Sequence, residues 1–249
     1  SGVDEILGIT VGLVAPPKTT WCWIEGVYEG ISSALNEFGG KLLGGDCACG
    51  KEKVLAITAL GTLGTLRLHR SRALPGDYLV VSGPHGLSRL GLALLREESI
   101  PQKFCLENTL KKKAILAHKR PKPNLAALRS LLTCKPKKLA WRAAGTDSSD
   151  GLLEAIRSLC ISSKCQAVLD YEMLPTSSNW PIGQWWENWC LSGGEDFEIV
   201  LSLPPEWAKA WVQNFSTSQI IGIMKTGPAK VTWKNGKEIV PSGTTFKHF

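Results

Sequence analysis

The sequence is short of several things, and each shortage narrows what it can be. No apolar run in its 249 residues approaches the roughly 20 residues of a membrane span, and no signal-peptide pattern opens it. It shows no internal repeat. The eight cysteines lack paired finger spacing: Cys47 with Cys49, and Cys160 with Cys165, have neither a second pair nor a histidine at a suitable distance. Several fall inside apolar patterns, as reduced cysteines do, which points to a reducing, cytoplasmic compartment and away from structural zinc. The first residue is Ser1, not methionine, and an apolar strand follows almost at once, as expected of a fragment.

Acids are nearly missing from one stretch. Residues 103–142 hold twelve Lys and Arg against the single acid Glu107, a local +11 in a chain of net charge +7, so the remainder carries −4. Such a block can bind nucleic acid, steer a phosphorylated substrate or form a solvated helical face. No aromatic platform or nucleic-acid motif interleaves with the lysines, which disfavours nucleic acid.

What is present reads as alternating strands and helices, hence an α/β (α+β) class, with enough chain for one large or two modest domains. Leu7–Val14 is a predicted strand. Thr20 is expected to cap a helix over Trp21–Phe38 with the stripe Ile24, Val27, Tyr28, Ile31, Leu35 and Phe38. A short strand at Lys41–Leu43 runs into Gly44-Gly45-Asp46, where glycines at a strand end let backbone approach a phosphate, or simply make a turn. Val54–Leu63 is the next strand, and Pro75-Gly76-Asp77 turns into a strand over Tyr78–Ser82. Helices follow to about Arg96 and near 105–117 and 124–132. His69 and His85 read as loop residues without partners. The tryptophans at 180, 185, 186 and 189 fit the edge of a core better than a ligand cover. Val231–Ile239 carries the Asn235-Gly236 hairpin signal.

The stretch Ala144-Gly145-Thr146-Asp147-Ser148-Ser149-Asp150-Gly151-Leu152 stands out. An apolar run from Leu139 to Ala144 leads in as a predicted buried strand, and Leu152, Leu153, Ile156, Leu159 and Cys160 lead out as a helix stripe. A strand-to-helix junction attracts anions through free N–H groups and the helix dipole. Two carboxylates three residues apart in such a place suit Mg²⁺ bridging to phosphate. Alternatively, Asp147 or Ser149 caps the helix and Asp150 suits its dipole.

Four patterns occur in one order: GGD at 44–46, Arg70-Ser-x-Ala-x-Pro-Gly-Asp77, D-S-S-D-G-L at 147–152 and S-G-G-E-D-F-E at 192–198, with His118…Pro121…Pro123 between and Phe246-Lys-His-Phe249 at the end. Together they resemble the thiamine-monophosphate kinase family, in the superfamily of aminoimidazole ribonucleotide synthetase and selenophosphate synthetase, over essentially the whole chain. The resemblance implies a two-domain fold, an N-terminal domain over 1–74 that binds ATP and Mg²⁺ and dimerises, and a C-terminal domain over 75–249 that completes the ATP and substrate site in a cleft between them. It implies ATP-dependent phosphorylation of thiamine monophosphate to thiamine diphosphate in a homodimer. Asp46, Asp147 and Asp150 then correspond to Mg²⁺ ligands, Gly45, Asp46, Arg70 and Ser149 to the ATP site, and Glu195 and Phe246 to thiamine-side contacts. No residue is assigned as acid, base or nucleophile, because positioning and charge neutralisation carry phosphoryl transfer.

Two departures accompany the resemblance. The family begins with acidic motifs that would precede Ser1, so the chain as given is expected to bind nucleotide weakly and turn over little. The usual apolar residue before the first Asp of D-x-S-D-G-L is Thr146 here. The alternatives are another ATP-using enzyme of the same superfamily, or an inactive remnant that only binds nucleotide.

Overall fold

The computed structural model describes residues 3–64, 67–100 and 106–240. The chain divides into two compact units, Gly2–Arg67 and Leu68–Phe249.

In the first unit β1 (Val3–Ala15) is followed by α1 (Trp21–Phe38), β2 (Leu42–Cys49) and β3 (Val54–Leu63). The sheet runs β2-β1-β3, with β1 parallel to β2 and antiparallel to β3. A parallel neighbour needs a crossover, and α1 supplies it. The predicted stripe is the less exposed side of α1, with Ile31 buried. Thr20 takes the N-cap position, but its side chain makes no capping bond. The glycines of GGD do not end a strand, as predicted, but lie inside β2. A Cβ on Gly45 would sit 2.0 Å from the Val11 carbonyl oxygen of β1, so close strand approach demands glycine there. Every residue of β2 and β3 is exposed, including Leu42, Val54, Ile57 and Leu63.

The second unit is built from β4 (Tyr78–Val81), α2 (Leu87–Leu95), α3 (Asn108–Lys119), α4 (Leu125–Thr133), β5 (Ala144–Asp147), α5 (Leu152–Ser163), β6 (Gln166–Leu169), α6 (Gln184–Ser192), β7 (Ile199–Leu203), α7 (Pro205–Asn214), β8 (Gln219–Lys225) and β9 (Val231–Trp233). Its sheet order is β5-β7-β4-β8-β6-β9, antiparallel except for β6 with β9. Helices with a mainly antiparallel sheet place the unit at the α+β end of the expected class. Both faces of the central strands are covered. Leu79, Val81 and Val200 join Leu152, Ile156 and Leu159 of α5 in one core. Val80, Leu201 and Leu203 join Leu131 of α4 with Trp207 and Trp211 of α7 in the other. Strands buried on two faces lose their alternation and read as continuous apolar runs.

The run at Leu139–Ala144 behaves differently from its predicted strand, because β5 begins only at Ala144. Lys135 Nζ donates to the carbonyls of Pro136 and Leu139, and Leu139 N–H donates to Pro136 O, so the approach is folded into turns. Trp141 packs edge-on to Trp207 with ring centroids 5.2 Å apart. The Trp-rich segment forms α6, whose Trp186 and Trp189 pack with Trp180 against Leu90 of α2 and Leu110 of α3, so the core reading holds there. The hairpin also forms: Gly236 has φ 83°, and Trp233 N–H donates to Lys237 O.

Asp77 anchors the start of β4. It is 2% exposed and accepts from Leu74 N–H and Ser202 Oγ, while Arg142 donates to both of its oxygens at 2.7 Å. Hydrogen bonding to Asp77 raises the Arg142 pKa against the opposing effect of desolvation. Removing one partner strands the other, so Arg142→Ala is expected to cost about 3 kcal/mol, the low end for a broken buried pair because Ser202 and Leu74 remain. Urea unfolding of the variant checks this; a loss below about 1 kcal/mol, the level of an exposed pair, contradicts it.

Candidate functional site

The turn between β5 and α5 orients its residues by burial. Ser148 is fully buried, Ser149 is half-buried, and Asp147 and Asp150 are exposed. The N-cap of α5 is Gly151, at φ 104°, and no side chain caps the helix. Neither Asp147 nor Ser149 therefore plays the capping role that was the plain alternative. Ser148 N–H donates to Glu198 O at 2.9 Å, and Gly151 N–H donates back to Ser148 O at 3.0 Å, which closes the turn. Desolvation pushes Asp147 upward, but hydrogen bonds from the Ser149 hydroxyl and amide and from Thr146 outweigh it and hold the carboxylate below its usual range. It is an ionised, exposed carboxylate beside a helix N-terminus.

Arg70 lies in a 3₁₀ turn at Arg70–Arg72, and its Nε donates to Thr146 Oγ1 at 3.1 Å. Thr146, where an apolar residue was expected, thus supplies an acceptor for Arg70. Ser163 Oγ fixes the turn from the other side by donating to Arg70 O at 2.7 Å.

The S-G-G-E-D-F-E loop is the second component. Gly194, Glu195 and Phe197 have φ of 67°, 58° and 52°. Two non-glycine residues in the left-handed region mark strain held by surrounding bonds. Glu195 N–H donates to Ser149 O at 2.7 Å, so this loop and the acidic turn are joined directly. Asp196 accepts from Gly86 N–H at 2.7 Å and Ser88 N–H at 3.1 Å, which ties the loop to the start of α2. Desolvation, helped by the charge of Glu198, lifts Asp196 to about 6 despite those bonds. Desolvation also raises Glu198, which accepts from Ser82 Oγ and Asn124 Nδ2.

Beside this loop is a cleft of about 540 Å³. Pro84, Leu87, Leu116, Ala117 and Pro121 give it an apolar lining, α3 and the residues after it contribute Lys113, Arg120 and Lys122, and the loop contributes Glu195, Asp196 and Glu198. His118 Nδ1 lies 3.1 Å from Ser88 Oγ and 3.7 Å from Glu195 Oε2.

Of the residues singled out in the sequence, Asp147, Ser149, Asp150, Arg70 and Glu195 fall in one neighbourhood of the second unit. Gly45 and Asp46 lie on β2 of the first, where Asp46 Oδ1 accepts from Cys47 N–H at 2.8 Å. Phe246 lies outside the described residues. Among the described residues no three His, Cys, Asp or Glu side chains form one metal-holding group. Hard carboxylate oxygens on one turn still fit Mg²⁺, which takes one or two carboxylates plus phosphate and water.

Residues 2–63 match the family described as AIR synthase related protein, N-terminal domain, and residues 75–234 its C-terminal domain. The thiamine-monophosphate kinase of Prochlorococcus marinus is 59% identical over 250 residues, covering 100% of this chain and 75% of the relative. That of Synechococcus elongatus is 36% identical over 245 residues, covering 97% and 73%. The chain belongs to the thiamine-monophosphate kinase family. In fold, a solved thiamine monophosphate kinase from Aquifex aeolicus matches with TM-score 0.77 at 22% identity over 95% of this chain and 76% of that one. A structure of AaThiL complexed with AMPPCP and TMP matches with TM-score 0.75 at 24% identity, over 100% and 75%.

One residue beside the acidic turn departs from its expected place. His85, expected to be an unpartnered loop residue, is fully buried, with Nδ1 3.1 Å from Gly83 O and Nε2 2.9 Å from Ser148 Oγ. Only long-range packing reveals it. Desolvation lowers its pKa to about 4, against a weaker opposing hydrogen bond to Gly83, so the ring is neutral at neutral pH. Its folded pKa lies below the unfolded value of 6.5, so the unfolded chain takes up the proton first. The stability owed to a neutral His85 is complete above pH 6.5 and is lost as the pH falls toward 4. Between pH 7.5 and 4.5 the protein should lose roughly 2–3 kcal/mol more than the His85→Gln variant. Parallel unfolding curves at the two pH values test it, and equal losses would contradict the buried neutral ring.

Proposed function

We propose that this chain phosphorylates thiamine monophosphate to thiamine diphosphate with Mg·ATP. The reading rests on the 59% identity to a thiamine-monophosphate kinase along the whole chain. The bond from Glu195 N–H to Ser149 O gives it a local rationale, since the residue assigned to the substrate is tied to the turn assigned to the nucleotide.

Asp46, Asp147 and Asp150 are the residues we assign to Mg²⁺, and the ion would supply charge neutralisation to the phosphates during in-line transfer. Arg70 offers a planar guanidinium to a phosphate, held by Thr146. Gly45 and Ser149 are assigned to ATP, and the uncapped N-terminus of α5 favours anions in front of Ser149. Glu195 offers a carboxylate to the cationic thiazolium, and Phe246 a ring face to stack on it. The acidic and basic walls of the adjoining cleft suit a ligand that carries charges of both signs.

We also propose a homodimer through the first unit. The apolar side chains left exposed on β2 and β3 are the surface such an assembly would cover. We place the enzyme in the cytoplasm, consistent with free cysteines at every described position and with no described helix long and apolar enough to cross a membrane.

The test separates ligand from structural roles at Asp147. Mg·ATP at about 100 times its dissociation constant should stabilise the fold by roughly 2.7 kcal/mol. Thiamine diphosphate should appear only when Mg²⁺ is present. Because Asp147 caps nothing, Asp147→Asn should leave the melting temperature nearly unchanged while abolishing Mg-dependent stabilisation and product. A folded protein that Mg·ATP does not stabilise, or an Asn variant that titrates metal normally, overturns the assignment.

A further inference from the structure

We propose that His85 is a positioning residue that sets the acidic turn by fixing the hydroxyl of Ser148. The proposal rests on the Mg·nucleotide reading of that turn and names a part of it that no motif announces.

His85 is itself immobilised from three directions. Its backbone N–H donates to Pro175 O at 2.7 Å, the next residue's N–H is held by Asp196, and its ring is wholly enclosed. With Nδ1 beside the Gly83 carbonyl, the proton belongs on Nδ1, which leaves Nε2 as an acceptor. Ser148 Oγ, 2.9 Å away, has one proton to give. Its other acceptor, Glu198 O at 3.2 Å, is farther away and is also met by the Ser148 N–H, whereas the 2.9 Å contact with the bare Nε2 holds no proton unless the hydroxyl gives one. The hydroxyl therefore donates to His85. Ser148 is flanked by Asp147 on one side and Ser149 and Asp150 on the other, so a buried anchor at its side chain fixes how the exposed residues project. Two carboxylates on one turn repel, and without that anchor the turn can relax so as to separate them.

Two substitutions of similar polarity split the two functions of the ring. The amide of His85→Gln can place an acceptor near the position of Nε2 and keep the bond from Ser148. His85→Asn is shorter; it can keep the donor to Gly83 but cannot reach Ser148. Ser148→Ala removes the hydroxyl alone. The readout is the Mg·ATP concentration that gives half of the maximal thermal stabilisation, together with Mn²⁺ binding by electron paramagnetic resonance. His85→Asn and Ser148→Ala should each raise the half-saturating concentration about tenfold, as loss of a group that orients a metal ligand does, with His85→Gln within about threefold of the unsubstituted protein. The double variant, His85→Asn with Ser148→Ala, should be no worse than Ser148→Ala alone, because both remove one bond.

Normal titration by Ser148→Ala overturns the proposal, and so does additivity in the double variant. Should His85→Asn not fold, Ser148→Ala against the unsubstituted protein decides the matter. If the unsubstituted protein gains nothing from Mg·ATP, the nucleotide reading falls and the proposal with it. If it does gain and all variants match it, only the proposal falls.

Discussion

Like charges on a short turn drive it open unless something inside the protein holds it shut, and the junction of β5 with α5 carries Asp147 and Asp150 on its exposed side. What holds it is a reversal of burial within four residues. Ser148 points into the protein, and its amide, carbonyl and hydroxyl are all engaged, by Glu198, Gly151 and His85. The main-chain bonds make the turn; the hydroxyl bond keys it to the segment after β4. Because β4 lies inside the sheet and is anchored at its start by Asp77 with Arg142, the acidic turn is referred to a buried, doubly paired strand. Sites placed on such elements keep their geometry better than sites on free loops.

The helices were the most legible feature of the sequence. α1 and α5 carry long stripes at helical spacing, with Gly39 after the first and Gly151 before the second. The hairpin after β9 was legible for a similar reason, since Asn235-Gly236 leaves the backbone few options. Legibility failed where non-local contacts decide. Gly44 and Gly45 look like a turn until β1 is laid beside β2, when Gly45 becomes the only residue that fits against Val11 O. Leu139–Ala143 looks like strand until Lys135 reaches back to the Leu139 carbonyl and folds the approach. His85 is the extreme case. Its partner lies 63 positions away, and neither residue's neighbours announce the pairing.

The basic block shows how charge counted along a chain can dissolve in space. Arg142 belongs to a buried ion pair and Lys135 to a carbonyl cluster, while Lys113, Arg120 and Lys122 turn toward the cleft. A +11 stretch thus has no single +11 face. At the cleft a short cationic set shares the lining with an acidic one.

The loop with left-handed Glu195 and Phe197 is the part of the site under conformational load. Each such residue costs on the order of 1–3 kcal/mol and persists only where its surroundings over-determine it. Here they do so along the whole loop. Ser149 O holds Glu195 by its amide, two N–H groups at the head of α2 hold Asp196, and Ser82 with Asn124 holds Glu198. Those bonds leave the side chain of Glu195 exposed while its amide is fixed to the turn that carries Asp147 and Asp150. A relaxed loop would lose the amide bond to Ser149, and with it the direct tie between this loop and the acidic turn.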